Sequence, residues 1–273
     1  MNDSRLRRPS APRTLRMGDL KISYVPDGAM LLKPADPPPL MPRWNGCGSY
    51  LNDTGMLVAN TGALLVESGP RALLIDAGFG PYSVPEDAAH PYQGAVHGGL
   101  LPGNLDLLGR SPTDIDTVAF THLRPDRFGW AGVEPPLFTR ATFVIPKNEG
   151  SCQPPSAANM ASHVGPLPAD YEIFPGVRAL FLPGDELGRT GFHIASRGTR
   201  LLAFGDALTS PLQIQHPQWS GTYDTHSIQT ERHRRHLITE LTRPDTLGFG
   251  LRFADVVFGR ARPHGQGAAW LPL

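Results

Sequence analysis

Cysteine and long apolar runs are both scarce in this 273-residue sequence. Its two cysteines, Cys47 and Cys152, are too far apart for a CxxC motif, and no cysteine-rich zinc pattern is present. We expect free thiols in a cytoplasmic protein, with a single disulfide as the alternative. The sequence contains no run of about 18 apolar residues, so no membrane-spanning helix is predicted.

The chain also lacks a net charge, because 25 basic residues balance 25 acidic ones. Dedicated nucleic-acid binders carry a basic excess, and so do proteins that dock on anionic membranes, so neither class is expected. A small molecule is the partner that we predict. Lysine is rare, and 22 of the 25 basic residues are arginine. Together with 30 glycines and 29 prolines this is typical of a GC-rich genome, which is an alternative explanation for many of the arginines.

Two segments in the first 56 residues differ in composition from the rest of the chain. Residues 1–17 are polar, rich in proline and arginine, and lack the apolar run of a secretory signal, so we expect a mobile tail. A single domain is predicted over residues 18–273. Within it, residues 33–56 are predicted to form a covering loop, because five prolines fall in 33–46. Met41 and Trp44 of this loop are costly to expose, so we expect the loop to pack over another part of the protein.

Short apolar runs between turn residues predict a series of strands. They lie at residues 63–67, 71–78, 116–122, 141–146, 178–184, 191–196, 200–208 and 246–253. Arg197 and Gly198 form the turn of a predicted hairpin. Helices are predicted over 103–109 and over 225–241, the second with one apolar face. That face is predicted to hold Ile228, Leu237, Ile238 and Leu241. The order of elements suggests two similar halves packed sheet on sheet, with helices outside.

Several common catalytic signatures are missing, namely GxSxG, GxxxxGK[ST], HExxH and a GxGxxG after a strand. What remains is a set of polar residues at the ends of predicted strands, where side chains converge in layered folds. These candidate site residues are His122, Arg124, Asp126, Arg127, Asp185, Asp206 and Arg252.

Five segments around these residues resemble the metallo-β-lactamase superfamily, in its lactonase-like branch. THLRPDRFGW (121–130) is similar to the HxHxDH metal loop, and LLIDAGFG (73–80) to an aspartate-containing strand that precedes it. LPGDELGRTGF (182–192), FGDAL (204–208) and PLQIQHPQW (211–219) are similar to later segments, in the family's order. The resemblance implies an αββα sandwich of the α/β class and a site that hydrolyses lactones or esters with two metal ions.

The family's metal ligands carry over to this sequence only in part. His122, Asp126 and Asp206 match ligands of the family, the last being the bridging aspartate. The other four of the seven positions are changed, and they are occupied by Arg124, Arg127, Asp185 and Arg252. Arginine stays protonated and has no lone pair for a metal, whereas a catalytic zinc needs about three protein ligands. We therefore predict no cofactor and no tightly bound metal.

The charges at the family's ligand positions balance in this sequence, which suggests a role for the arginines. Three carboxylates, at Asp126, Asp185 and Asp206, would face three guanidinium groups. Burying carboxylates without a cation costs several kcal/mol each, and arginine forks can pair with them. We therefore interpret the arginines as substitutes for the metal charge. Codon-driven drift is the alternative explanation.

The individual roles remain open at this stage. His122 is either a general acid or base or a leftover ligand held by Asp206 or Asp185. The arginines either clamp an anionic substrate or pair only with carboxylates, and for Arg124 pairing is favoured. Asp76 is expected to be structural. Three further residues are candidates for lining a substrate pocket, although packing is the alternative for each. They are Trp44, Trp130 and His216.

Three functions are compatible with this sequence. The favoured hypothesis is a metal-independent enzyme on a small carbonyl- or carboxylate-bearing metabolite, as in biosynthetic cyclisation, elimination or hydrolysis. The alternatives are an inactive pseudoenzyme that binds a small molecule or a protein, and residual metal-assisted hydrolysis of lactones or esters.

The changed ligands lead to a first prediction. Protein purified without chelator should contain far less than one zinc, iron or manganese ion per chain, because four of seven ligand positions are replaced. Elemental analysis by mass spectrometry checks this. One or more ions per chain would contradict it.

Overall fold

The computed structural model describes residues 3–33, 47–145, 171–181, 190–219, 227–265 and 267–273. Their strands form two sheets. The first, of eight strands, contains β1 (Arg13–Met17), β2 (Leu20–Leu32), β3 (Leu57–Ser68), β4 (Arg71–Ile75), β5 (Ser83–Val84), β6 (Gln93–His97), β7 (Thr117–Ala119) and β8 (Thr142–Val144). Its order is β5-β6-β2-β3-β4-β7-β8, and β1 pairs with β2.

The second sheet has seven strands in the described part of the chain. They are β9 (Glu172–Phe174), β10 (Val177–Phe181), β11 (Thr190–Ser196), β12 (Thr199–Ala203), β13 (Thr246–Phe249), β14 (Phe258–His264) and β15 (Gly267–Pro272), in the order β15-β14-β13-β12-β11-β10-β9. Neighbours are antiparallel except β12 with β13, just as β4, β7 and β8 run parallel in the first sheet.

Helices cover the outer faces of both sheets. They are α1 (Leu101–Leu107), α2 (Pro125–Phe128), α3 (Leu212–Gln215) and α4 (Ser227–Leu241). Short 3-10 turns lie at Asp3–Arg7, Gly48–Tyr50, Pro112–Asp114, Gly129–Gly132 and Gly205–Ala207. None of these helices combines the length and the apolar character that a membrane crossing requires.

The side chains of the central strands point alternately to the two faces of the sheet, and this creates the layers. In β3, Leu64 and Val66 belong to the core between the two sheets, whereas Leu65 faces the cluster beneath α1. Successive side chains of a strand point to opposite faces, so an all-apolar strand is buried on both sides. On the far side, Leu237 and Leu241 of α4 pack against the second sheet. The result is the αββα sandwich that the resemblance implied.

Two sequence expectations are wrong. Residues 3–17 are not a mobile tail, because β1 pairs with β2 from Arg13↔Tyr24 to Met17↔Leu20 and Leu6 is buried. Ile228 does not share the apolar face of α4 and is 80% exposed. It precedes Leu237 by nine residues, and nine steps of about 100° place it on the opposite side of a helix.

Other expectations are confirmed or lie beyond the described part. The hairpin turn is present, with φ of 50° at Arg197 and 82° at Gly198, the left-handed pair of a type I′ turn. Cys47 is a buried free thiol. Trp44, Met41, Cys152 and Asp185 lie outside the described residues, and so does most of the predicted covering loop.

Candidate functional site

The candidate residues meet at one edge of the sandwich because of strand direction. His122 follows β7, and Asp126 and Arg127 lie in α2, which comes next. Asp206 follows β12, and Arg252 follows β13. Both strand pairs involved, β4–β7 and β12–β13, are parallel, so their carboxyl ends lie at the same edge of each sheet. Packing the sheets together brings these loops into contact.

Arg127 lies at the centre of the cluster and is completely buried. Its Nη2 donates to Asp206 Oδ1, its Nε lies 3.5 Å from Asp126 Oδ2, and its Nη1 lies 3.7 Å from Asp76 Oδ2. One guanidinium thus faces three carboxylates. Its backbone fixes the loop as well, since the Ala77 N–H donates to the carbonyl of Arg127 at 2.5 Å.

Arg252 is the second buried cation, with 3% of its side chain exposed. Its Nη2 donates to Asp126 Oδ2, and its Nε donates to Asp206 Oδ1 at 3.2 Å. Its Nη1 donates to the carbonyl of Asn60 at 3.3 Å. Asp206 therefore accepts from both guanidinium groups, one arriving from each half of the sandwich.

His122 is nearly buried, and its two ring nitrogens make different contacts, a hydrogen bond at Nδ1 and a longer ion-pair contact at Nε2. Its Nδ1 lies 3.0 Å from Thr121 Oγ1, and its Nε2 lies 3.5 Å from Asp206 Oδ2. The Thr121 hydroxyl also contacts both oxygens of Asp76, at 3.0 and 2.9 Å, and the Thr121 backbone N–H donates to Asp76 Oδ1 at 2.8 Å. Asp76 has a left-handed φ of 62°, so these bonds hold a strained junction after β4.

Burial and the arginines act on the carboxyl pKa values in opposite senses. Burial raises the pKa of Asp76 to about 6, although Arg127 and the Thr121 bonds oppose the rise. Burial also disfavours the charged form of Asp126, but Arg252 and Arg127 outweigh it and lower the pKa of Asp126 to about 2. Burial works against the charged form of Arg252 too, and Asp126 and Asp206 outweigh it, so the pKa of Arg252 is raised.

Arg124 differs from the other two arginines. It is 29% exposed, and its Nε lies 3.8 Å from Asp126 Oδ1. Among the described carboxylates, the shorter pairings with Asp126 and Asp206 are made by Arg127 and Arg252. Arg124 is the guanidinium of the cluster that reaches toward solvent. Asp185, the third expected carboxylate, lies outside the described residues.

Two of the three residues expected to line a substrate pocket, Trp130 and His216, do not join this cluster, and the third, Trp44, lies outside the described residues. Trp130 donates from Nε1 to Asp27 Oδ1 at 2.7 Å and packs beneath the first sheet. His216 stacks on Trp219 with ring centroids 4.2 Å apart. It lines a surface cavity of about 570 Å³ together with parts of α3, α4 and the β14–β15 turn, and no residue of the cluster lines that cavity.

Sequence reasoning missed Asp27, which organises the loops beside the site. This buried carboxylate accepts backbone N–H bonds from Phe79 at 2.7 Å, Gly80 at 3.1 Å, Gly99 at 3.1 Å and Leu101 at 3.0 Å. A carboxylate inside an otherwise apolar strand was the available signal, because such a group must be hydrogen-bonded when it is buried.

Comparison with known proteins agrees with this architecture. The family model of the metallo-β-lactamase superfamily matches residues 59–245, more than half of the chain. The chain therefore belongs to the metallo-β-lactamase superfamily. No curated protein sequence matches it.

Solved structures of similar fold extend over nearly the whole chain. AidC, a dizinc quorum-quenching lactonase in complex with a product N-hexnoyl-L-homoserine, has a TM-score of 0.78 at 17% identity and covers 97% of this chain and 98% of its own. A probable metal-dependent hydrolase from Staphylococcus aureus also reaches 0.78, at 19% identity over 95% and 99%. Hydrolase AbOPH reaches 0.74, at 19% over 98% and 99%. At these identities the likeness concerns the fold.

The donors of the described residues do not fit a metal centre. Among them no group of three or more histidine, cysteine, aspartate or glutamate side chains is arranged to hold an ion. The oxygens of Asp126 and Asp206 that would face a metal accept from Arg127 and Arg252 instead. A guanidinium offers no lone pair.

The different burial of the arginines gives a prediction about stability. Replacing Arg127 by Met should lower the free energy of unfolding by about 3–5 kcal/mol, because it leaves buried carboxylates uncompensated. Replacing Arg124 by Met should cost less, because its side chain is 29% exposed and ion pairs that solvent reaches contribute less to stability. Urea denaturation of both variants checks the difference. Equal losses would show that the two arginines are equivalent.

The raised pKa of Asp76 predicts a pH dependence. A carboxyl whose pKa is higher in the folded than in the unfolded chain favours folding below about pH 4, and that contribution declines as the pH rises toward 6. Relative to wild type, Asp76→Asn should therefore gain about 3 kcal/mol in free energy of unfolding between pH 4 and pH 7. Urea titrations at several pH values measure this. Asp53→Asn, at an exposed carboxyl, is the control and should run parallel to wild type.

Proposed function

We propose that this chain is a metal-independent member of its superfamily, in which Arg127 and Arg252 supply the positive charge that metal ions supply in dizinc relatives. The support is their position. Both guanidinium groups are buried, and both donate to Asp206, the residue at the bridging-ligand position of the family motif. No step of the proposed chemistry passes through a metal, because the described donors do not fit one.

The proposed activity is acid–base chemistry on a small carbonyl- or carboxylate-bearing metabolite. The observation that carries it is the arrangement of His122, fixed between the Thr121 hydroxyl and the Asp206 carboxylate. A carboxylate and a hydroxyl that hold an imidazole fix its orientation, and an imidazole is the side chain best suited to proton transfer near neutral pH. Such a group serves cyclisation, elimination or hydrolysis of an activated carbonyl compound.

The proposed function divides the arginines between two tasks. Within the described residues, Arg127 and Arg252 lie against Asp126 and Asp206, and we assign the clamp on a substrate anion to Arg124, whose side chain is 29% exposed. Its partial exposure leaves it in reach of solvent. A cation beside a proton-transfer group stabilises a developing oxyanion, particularly where water is excluded.

A second function has an observation of its own. The His122 side chain is only 4% exposed, and its Nε2 faces Asp206 rather than solvent. This favours a pseudoenzyme in which the cluster only holds the fold and Arg124 binds an anionic ligand without turnover. The two functions share the ligand and differ in the need for His122.

The test is the effect of His122 on turnover. Purified protein is screened with carboxylate-bearing carbonyl compounds and N-acyl homoserine lactones. On any substrate found, His122→Gln should lower kcat/KM by about 10²–10⁴-fold, because glutamine keeps hydrogen bonds but cannot carry the proton. His193→Gln, at a half-buried histidine of β11, is the matched control and should leave the rate unchanged.

Each other outcome points to a different function. A fully active His122→Gln variant overturns the acid–base role. Binding of these compounds without any turnover, lost in Arg124→Met, supports the pseudoenzyme. Turnover that a chelator abolishes and zinc restores supports metal-assisted hydrolysis and contradicts the proposal.

A further inference from the structure

The loop that carries Arg252 has a conformation that its own sequence does not favour. It runs between β13 and β14, and within it Ala254 has a left-handed φ of 43°. That conformation is unfavourable for a residue with a Cβ, and it persists only where surrounding contacts impose it. One such contact lies within the loop, where the Ala254 N–H donates to the carbonyl of Arg252 at 2.9 Å, and two further sets of contacts come from outside it.

Asn60 of β3 supplies the first set of contacts. Its Nδ2 donates to the carbonyls of Leu251 at 3.0 Å and Ala254 at 2.6 Å. Its own carbonyl accepts from Arg252 Nη1 at 3.3 Å. Asn60 is buried, and its Oδ1 accepts from the backbone N–H of Ser10 at 2.9 Å. The N-terminal segment therefore orients the amide that holds the loop.

Asp255 supplies the second set, directly from the N-terminal segment. Its side chain is 2% exposed. Arg8 donates to its Oδ2 from Nε at 3.0 Å and Nη2 at 2.8 Å, and Arg13 donates to its Oδ1 from Nε at 3.2 Å. Ser10 Oγ lies 3.1 Å from Oδ1. Burial opposes the charged form of Asp255, but the bonds from Arg13 and Arg8 outweigh it and lower its pKa.

The backbone of Asp255 is bound as well. Its N–H donates to the carbonyl of Arg5 at 3.0 Å, and its carbonyl accepts from Arg5 Nε at 2.9 Å. Asp255 lies three positions after Arg252 in the sequence. Every hydrogen-bonding group of Asp255 is thus engaged by residues 5–13, a stretch that lies more than 240 residues away in sequence.

We propose that residues 5–13 form a clamp that positions Arg252, acting through Asp255 and Asn60. Arg8, Arg13, Asn60 and Asp255 are then positioning residues of the central cluster. The clamp acts on the placement of Arg252 against Asp126 and Asp206, whether the cluster is catalytic or only binds, so it does not depend on the proposed function.

The test measures Arg252 itself rather than stability. Its Nε–H donates to Asp206 at 3.2 Å in a buried site, so it should exchange slowly with solvent and give an observable ¹⁵N NMR signal. In Asp255→Asn, which keeps the shape and removes the charge that attracts Arg8 and Arg13, exchange of that proton should be at least about tenfold faster.

Glu67→Gln is the matched control. Glu67 is also a buried carboxylate held by two cations, with Lys21 Nζ at 2.8 Å and Arg110 Nε at 2.9 Å. It lies near the opposite end of β3 from Asn60. Its loss should lower the melting temperature as Asp255→Asn does, yet leave exchange of the Arg252 Nε–H as in wild type.

A milder variant keeps the test valid where Asp255→Asn does not fold. Arg8→Ala removes a guanidinium that is 58% exposed, and exchange of the Arg252 Nε–H should rise about two- to fivefold. The proposal is overturned if either clamp variant folds and loses stability while exchange at Arg252 stays at the wild-type rate. It is equally overturned if Glu67→Gln accelerates that exchange as much as Asp255→Asn does.

Discussion

The pairing of Asp206 with two buried guanidinium groups is the interaction on which the site depends. Arg127 reaches it from the loop after β7, in the first half of the sandwich, and Arg252 reaches it from the loop after β13, in the second. Each ion alone would lose several kcal/mol of hydration on burial. Burial is favourable only when the carboxylate and both guanidinium groups are buried together. The two halves of the sandwich are therefore held in one relative position at this edge.

Loops around the cluster are held by buried acceptors rather than by strand pairing. Asp27 collects the backbone N–H groups of the segments 79–80 and 99–101. Asp76 accepts from Thr121, and Asp255 accepts from the N-terminal segment. Beyond the strand ends, backbone groups have no ladder partner, and a buried carboxylate satisfies several of them at once. Asp27 and Asp76 thereby give backbone N–H groups of irregular segments the acceptors that a sheet would otherwise supply, and Asp255 does the same for side chains of the N-terminal segment.

The features that could be predicted from the sequence are those that short-range patterns determine. The apolar runs that predict β3 and β4, and the Arg197–Gly198 turn, have local causes. The sequence motifs indicate the superfamily and the candidate cluster. The N-terminal segment was misjudged because its order comes from Asp255, far along the chain, and not from its own composition. The placement of Trp130 on Asp27, and of His216 in a separate cavity, depends on tertiary contacts of the same kind.

The shared carboxylate of Asp206 also has an evolutionary consequence. Arg127 and Arg252 pair with the same two carboxylates, so the effects of replacing them are coupled. Replacing either one alone leaves buried negative charge uncompensated. A single reversion of Arg127 or Arg252 to a metal-binding histidine would therefore pass through a destabilised intermediate that holds neither the ion pairs nor a complete ligand set. On the proposed function, the loss of the metal site is therefore hard to reverse in evolution. Selection for folding stability would keep both arginines in a lineage that has acquired them.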